Sequence, residues 1–492
     1  MNRVMVCSVQ TAAQKCPDSI ALYDINQTVT FSQLDALVTG TAAALQTRGV
    51  VPGQVVAVLG RNTIESAVLF FAALRYGFIL MPLNWRLTAA DRRWQLSAAN
   101  CSLIIHDKEF NAEVADLGIA SISIREIVSD DAQGSSQRSV IEIPLEREAL
   151  IISSSGSTGR PRGVVLTWGN LYFNALGSAT FLPLGPEDIW LAVLPFFHIG
   201  GISILFRTAL AACAAYVMPR FDAKSIVEIL RQHHISLISL VPTMLTDLLT
   251  EDGNNLLRGL RGIVLGGAAF DAALRQEAAA KRLPILTTYG MTETTSMVTL
   301  LDKSDRPDLW ATAGKILPYR EVMIADDQGK PSPMGERGRI VIRGEVVSRR
   351  YIGEPDTERL PDEWFDTGDF GTMDASGYLT IAGRRDSIIV SGGENIDLTR
   401  IESVLNAISG VKGAVVMSRV DEKWGRRPVA FVEPSGEDFP EERIMEELAA
   451  QLPRFMLPDR IIIVRPLPLT ASGKYDRIAL QKQSPDIFEN QS

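Results

Sequence analysis

Between Phe31 and Ile105 the chain passes three times from an apolar pattern of helical period to a short apolar run. No other feature restricts the fold as much. Phe31, Leu34, Leu37, Val38, Ala42 and Leu45 repeat at helical spacing, and Val55-Val56-Ala57-Val58-Leu59 then reads as a buried strand. Val51-Pro52-Gly53 supplies the turn between them. The pattern predicts a second helix from about Ile64 to Arg75, Gly77 as its stop, and a strand over Phe78-Ile79-Leu80-Met81-Pro82. A third round runs from a helix near Ala89–Ala98 to Leu103-Ile104-Ile105. Helices that alternate with strands in this way imply an α/β fold with largely parallel sheets.

Further along, the texture changes. Asp130–Gln137 is a polar loop, and Gly335 to Leu379 reads as short strands and turns, including Arg339–Arg343 and Gly377-Tyr378-Leu379. After Gly383 the chain restarts: Ile401–Leu405, Val411–Met417, Pro428–Val432 and Ile444–Leu452 suit a compact α+β unit. The expected organisation is a large multi-subdomain α/β domain over 1–383 and a small, mobile C-terminal α+β domain over 384–492.

Several functional classes are disfavoured by composition. Net charge is −9, which argues against a nucleic-acid surface. Cys7, Cys16, Cys101 and Cys213 are scattered, and His233 and His234 are adjacent, so neither a disulfide framework nor a zinc site is indicated. The N-terminus has no apolar run of signal-peptide length, and Leu191–Met218 carries Pro195, His198 and Arg207, which are costly in lipid. A cytoplasmic, soluble chain without a membrane span is expected. Of 49 basic residues, 38 are Arg and 11 are Lys, so each lysine invites scrutiny.

The densest chemical signal is Ser153-Ser154-Ser155-Gly156-Ser157-Thr158-Gly159-Arg160-Pro161-Arg162-Gly163. Glycines let backbone N–H groups turn inward as an anion nest, hydroxyls add donors, and Arg supplies charge for phosphate. A Ser/Gly linker is the competing reading; the apolar stretches Ala149–Ile152 and Val164–Leu166 on either side favour a polyphosphate cradle. Thr287 to Thr294 forms a loop after the strand Pro284-Ile285-Leu286, where α/β proteins place ligands. Tyr289 offers a ring to a base, Thr292 a hydroxyl to phosphate, and Glu293 a hard oxygen to Mg²⁺. Phe365-Asp366-Thr367-Gly368-Asp369 places a carboxylate at a turn, suited to two ribose hydroxyls. Each of these segments, taken alone, is also an ordinary turn.

Taken together and in order, Ser154–Gly163, Phe196-Phe197-His198, Leu265-Gly266-Gly267-Ala268, Tyr289–Glu293, Thr367-Gly368-Asp369, Gly383–Asp386, Ser391–Ile396 and Ala471-Ser472-Gly473-Lys474 resemble the adenylate-forming acyl-CoA synthetase superfamily over nearly the whole chain. The resemblance implies two half-reactions. A carboxylate attacks the α-phosphate of MgATP to give an acyl-adenylate and pyrophosphate, and the CoA thiol then displaces AMP. It also implies site roles. Ser154, Ser155, Gly156, Ser157, Thr158, Gly159 and Arg162 would hold phosphates; Gly266, Gly267, Ala268, Thr288, Tyr289, Gly290 and Met291 would frame the adenine. Thr292 would meet the α-phosphate, Glu293 with Thr158 the Mg²⁺, and Asp369 with Arg384 the ribose. Lys474 would bridge the substrate carboxylate and the α-phosphate, a task for a compact ammonium, and a chain so poor in lysine keeps one there. Asp386 would be the hinge; Ser391, Gly392, Gly393, Glu394 and Trp424 would meet CoA.

For the acid, His198, Gly201 and Gly290 would line the pocket, with His198 gating carboxylate and thiol. Amino-acid-activating relatives characteristically carry an Asp near this position, so His198 disfavours an amino acid as substrate. Arg207, nine residues beyond in an apolar stretch, reads either as a snorkelling surface cation or as counter-ion to a second substrate carboxylate. The segment resembles o-succinylbenzoate–CoA ligases of menaquinone synthesis, as do Arg220-Phe221, Leu240–Leu245 and Lys423-Trp424-Gly425. Other aryl, alicyclic or medium-chain acids, or loading of a separate carrier protein, are the alternatives. The implied partners are ATP, CoA and a carboxylic acid, with no nucleic acid; a homodimer is compatible. Two departures stand out: Arg160 and Arg162 occupy positions where the superfamily commonly has Lys, and Asp397-Leu398-Thr399-Arg400 replaces the usual Pro-containing continuation after Ile396.

Overall fold

Threonine caps open four helices of the first half: Phe31–Thr47, Ile64–Tyr76, Ala89–Ala98 and Trp168–Ala179. Residues 3–128, 139–154, 162–302, 304–305, 307–353, 363–384, 387–391, 394–421, 424–436, 441–470 and 473–488 are described by a computed structural model. Thr30 opens Phe31–Thr47 with a capping box: its Oγ1 accepts from Gln33 N–H at 3.3 Å, and Gln33 Oε1 accepts from Thr30 N–H at 2.8 Å. Thr63 caps Ile64–Tyr76, which Gly77 ends in the left-handed region at φ 100°. The predicted helix Ala89–Ala98 and strands Val55–Leu59, Ile79–Pro82 and Leu103–His106 are present.

Two large sheets organise the first half. One runs, from edge to edge, 350–351, 162–167, 148–154, 79–82, 55–59, 103–106 and 120–123; its pairings are parallel from 148–154 onward and antiparallel before it. The other runs 315–316, 296–300, 285–291, 262–265, 237–240, 189–192, 214–217, 20–23 and 28–30, parallel in its centre and antiparallel at both ends. Helices Ile64–Tyr76, Trp168–Ala179 and Ile199–Ala211 share one core with both sheets, which explains why Ile64–Tyr76 is apolar on nearly every side. Each fully buried Phe or Leu there contributes about 1.5–3 kcal/mol. Outer helices such as Ala223–Gln232 and Pro242–Glu251 instead present one apolar face to the second sheet.

The long apolar run Leu191–Met218 is divided between the strand Ile189–Ala192, the helix Ile199–Ala211 and the strand Ala214–Val217. Among the described residues, no helix is long and apolar enough to cross a membrane. Two loops expected from sequence are extended instead. The strand after Pro284 continues to Met291, because Thr288–Met291 pair with Ser296–Leu300. Asp366–Asp369 lie inside the strand Phe365–Met373, with Gly368 at φ 74° within the register shift that separates the Val341–Asp366 and Arg339–Phe370 pairs. That strand belongs to an antiparallel sheet of 320–325, 338–344, 365–373 and 379–384. A further sheet begins at Ile388–Ser391 and includes Val411–Asp421, Gly425–Pro434 and Arg460–Ile463, packed on the helices Leu398–Asn406 and Glu441–Gln451.

Candidate active site

The carboxyl ends of parallel strands leave outward-facing loops, and here loops from both large sheets meet at one cleft. Asn62, just beyond Val55–Leu59, ties them together. Its Nδ2 donates to Leu194 O at 2.9 Å, and its Oδ1 accepts from Phe196 N–H at 2.8 Å. This pins the segment that presents His198, the N-cap of Ile199–Ala211. Phe197 and His198 rings lie 4.7 Å apart, and Phe196, Phe197, Leu83 and Ile202 line a small apolar cavity with Arg61. Burial, then the cations Lys474 and Arg86, push the His198 imidazole down to about 3, so it is neutral at physiological pH. Its Nε2 is buried with no hydrogen-bond partner among the described residues. Gly201 allows the helix to approach Leu194 O and Pro195 O, which any Cβ would strike.

A second wall is built by pairing. Asp369 faces Arg384 across adjacent strands, with Nη1 and Oδ1 3.5 Å apart, and its Oδ2 accepts from Tyr289 Oη at 2.6 Å. Burial and the neighbouring Asp369 carboxylate push the Tyr289 phenol well above its ordinary value. Thr288 Oγ1 donates to Thr299 O at 2.6 Å, and Gly266 packs so closely on Thr288 that a Cβ would lie 2.7 Å from its methyl group. Gly290 admits no side chain, since a Cβ would collide with Ser296 O. Gly267, at φ 81°, and Ala268 are open to the cleft. Met291 N–H donates to Thr294 Oγ1 at 3.1 Å, which shapes the 3₁₀ turn Thr292–Thr294.

The segment expected to hold phosphates joins the strands of an antiparallel hairpin, Glu148–Ser154 and Arg162–Thr167, in which Ser154 pairs with Arg162. Ser155, Gly156, Ser157, Thr158, Gly159 and Arg160 lie outside the described residues. Arg162 stands over the Tyr351 ring at 5.5 Å, and Tyr351 Oη donates to Glu293 Oε1 at 3.4 Å, so the carboxylate expected to take Mg²⁺ faces the hairpin. Among the described residues, no three His, Cys, Asp or Glu side chains group as a dedicated metal site. Glu293 as a single hard ligand fits a Mg²⁺ ion carried mainly by substrate phosphates.

Lys474 comes from the C-terminal unit. Its Cε lies 3.4 Å from where a Gly267 Cβ would be, so a side chain at 267 would crowd it. It is reached by solvent along the cleft although protein surrounds it. Burial and then Arg384 push its ammonium below the usual lysine value, while Asp369 opposes them. Four residues expected to serve one chemistry (Tyr289, Asp369, Arg384 and Lys474) are therefore grouped on one side of the cleft.

Arg207 does not snorkel. It is 4% exposed, and its Nη1 and Nη2 donate to Ser203 Oγ at 2.8 Å and Asn174 Oδ1 at 2.7 Å. Burial pushes it down to about 10, still a cation at neutral pH. In the C-terminal unit, Ser391 pairs with Gly425, which brings it beside exposed Trp424. Gly392, Gly393 and the hinge candidate Asp386 lie outside the described residues, as does the Glu394 side chain.

Asn62, Arg86 and Thr243 were missed by sequence reasoning. All three follow parallel strands directly, and that position was the available signal. Arg86 Nη1 donates to Thr470 O at 3.0 Å, and Thr243 Oγ1 donates to Gly473 O at 2.6 Å.

Comparison with known proteins adds to this geometry. The AMP-binding enzyme family matches residues 9–352, and the AMP-binding enzyme C-terminal domain matches residues 400–474. The 2-succinylbenzoate–CoA ligase of Bacillus cereus is 35% identical over 469 residues, covering 95% of this chain and 96% of the relative. The o-succinylbenzoate CoA synthetase (MenE) from Bacillus subtilis, solved in complex with the acyl-adenylate intermediate OSB-AMP, has a TM-score of 0.88 at 30% identity, covering 97% of this chain and 98% of that one. ATP-bound MatB from Rhodopseudomonas palustris has a TM-score of 0.88 at 26% identity, covering 98% and 100%.

Proposed function

The chain belongs to the AMP-binding enzyme family and is an AMP-forming acid–thiol ligase; we propose that its acid is 2-succinylbenzoate, activated with ATP and joined to CoA in menaquinone biosynthesis. The observation that carries this reading is Lys474 against Gly267, facing Asp369 and Arg384. One carboxylate oxygen of the acid attacks the α-phosphorus while pyrophosphate leaves. Both reactants are anions, so catalysis is positioning plus neutralisation of charge. Lys474 spans the two anions, Thr292 donates to the α-phosphate, Asp369 and Arg384 hold the ribose, and Tyr289 with Gly266, Gly267 and Ala268 frames the base. Mg²⁺, held by Glu293 and Thr158, would neutralise the phosphates.

In the second half-reaction the thiol attacks the acyl carbon and AMP leaves. A neutral His198 suits a site through which a carboxylate and then a thiol must pass. Rotation about Asp386 would exchange Lys474 for the Ser391, Glu394 and Trp424 face; in the sequence, Asp386 falls between the strands Leu379–Arg384 and Ile388–Ser391.

Arg207 favours a diacid. Its two acceptors, Ser203 Oγ and Asn174 Oδ1, are neutral, so the buried guanidinium projects its charge, worth about 2 kcal/mol to an anion about 8 Å away. The reading extends to a cytoplasmic enzyme with small-molecule partners rather than nucleic acid, alone or as a homodimer. The test is AMP release dependent on ATP and CoA, compared across 2-succinylbenzoate, benzoate, cyclohexane carboxylate and medium-chain acids. The diacid should give the highest kcat/KM, and Arg207→Leu should raise its KM about tenfold while leaving benzoate unaffected. Preference for a monocarboxylate overturns the assignment.

A further inference from the structure

We infer that Arg86 and Thr243 are positioning residues, a two-point clasp that seats Lys474 for the first half-reaction and has to open for the second. The inference rests on the reading of Lys474 given above, and it concerns residues that do not themselves meet the reacting atoms.

Thr470, Gly473 and Lys474 hold one another. Gly473 N–H donates to Thr470 O at 3.0 Å, Lys474 N–H donates to Thr470 Oγ1 at 3.2 Å, and Thr470 N–H donates to Lys474 O at 2.6 Å. The turn is therefore a preformed unit whose outward carbonyls can be gripped. Each half of the large domain grips one. Arg86 follows the strand Ile79–Pro82 of the first sheet and donates to Thr470 O. Thr243, in the helix Pro242–Glu251 after the strand Leu237–Leu240 of the second sheet, donates to Gly473 O.

Both grips are preorganised. Arg86 stacks on Trp85 at 4.6 Å, with Arg61 on the same ring at 3.8 Å, and Trp85 meets the Phe197 ring edge-on at 6.3 Å. Gly473 sits at φ 76°, and a Cβ there would lie 2.8 Å from Val241 Cγ2 and 3.1 Å from Thr243 Oγ1. Only glycine lets the carbonyl reach the threonine. Because the two grips come from different sheets, the position of Lys474 registers whether the large domain is correctly assembled around the cleft.

The test uses the whole enzyme carrying Thr243→Val, which removes the donor at constant shape, with Thr243→Ser as the conservative rescue. Acyl-adenylate formation should fall about tenfold in Thr243→Val, the weight of one hydrogen bond. CoA-dependent consumption of supplied acyl-adenylate should hold or rise, and Thr243→Ser should restore the first step. Hydrogen exchange at the Gly473 and Lys474 amides, measured without substrate, should quicken in Thr243→Val only. Equal loss in both half-reactions, or unchanged exchange, overturns the clasp. If wild-type enzyme forms no acyl-adenylate from any acid of the panel, the functional reading fails, and the exchange measurement still decides whether the clasp exists.

Discussion

Asp369 and Lys474 face the same cleft, yet one is fixed and the other is only held. Asp369 is 6% exposed, set between paired strands, and hydrogen-bonded to Tyr289. Lys474 is surrounded by protein but still reached by solvent, at the end of a turn that two side chains from the large domain grip by its carbonyls. The proposed roles explain the contrast. A wall that holds the nucleotide through both half-reactions would gain from rigidity. An ammonium needed only while two anions are brought together would afterwards have to give way to a thiol.

The sharpest way to break this comparison is Lys474→Ala. Pyrophosphate formation should fall by about 100-fold or more, the scale of losing a charge that stabilises the transition state. Thioester formation from supplied acyl-adenylate should change little, and unchanged pyrophosphate release would remove Lys474 from the mechanism. Second in size is pH. In the proposed mechanism the working form is the ammonium, whose pKa is pushed below the ordinary lysine value, so adenylation should be full below that pKa and decline as pH rises through it. Rates of the two half-reactions measured from pH 7 to 10 should separate, with the thioester step lacking that alkaline limb. A common limb would place its origin elsewhere. The smallest effect is expected for Tyr289→Phe, which removes one donor from Asp369. It should raise the KM for ATP about fivefold and slow consumption of supplied acyl-adenylate by a similar factor. Loss confined to one half-reaction would show that the fixed wall is not shared.

Much of the first half was legible because its signals are local. The helix Ile64–Tyr76 begins at a threonine cap, ends at a glycine, and is apolar on nearly every side, so its boundaries follow from a few neighbouring residues. The same local reading took Thr287–Thr294 and Asp366–Asp369 for loops. Polar, glycine-containing segments look like turns when their partners lie elsewhere in the chain; pairing with Ser296–Leu300 makes a strand of the first as far as Met291, and pairing of Asp366 with Val341 and Asp369 with Arg384 makes one of the second. Arg207 was also ambiguous for a reason of distance. Whether an arginine in an apolar helix reaches solvent depends on what surrounds that helix, and Asn174, thirty-three positions away, is what holds it.

By itself, the sequence determined which chemistry the chain can attempt. The order of its glycine, hydroxyl, carboxylate and lysine motifs is a one-dimensional property, and so are helix period and caps. Only the tertiary structure decided that Tyr289 donates to Asp369, that Asn62 ties the two sheets' loops together, and that Arg86 and Thr243 grip the turn bearing Lys474. Such contacts join residues up to 384 positions apart. A hydrogen bond a few ångströms long depends on where both backbones have been carried by packing, and no local pattern encodes that.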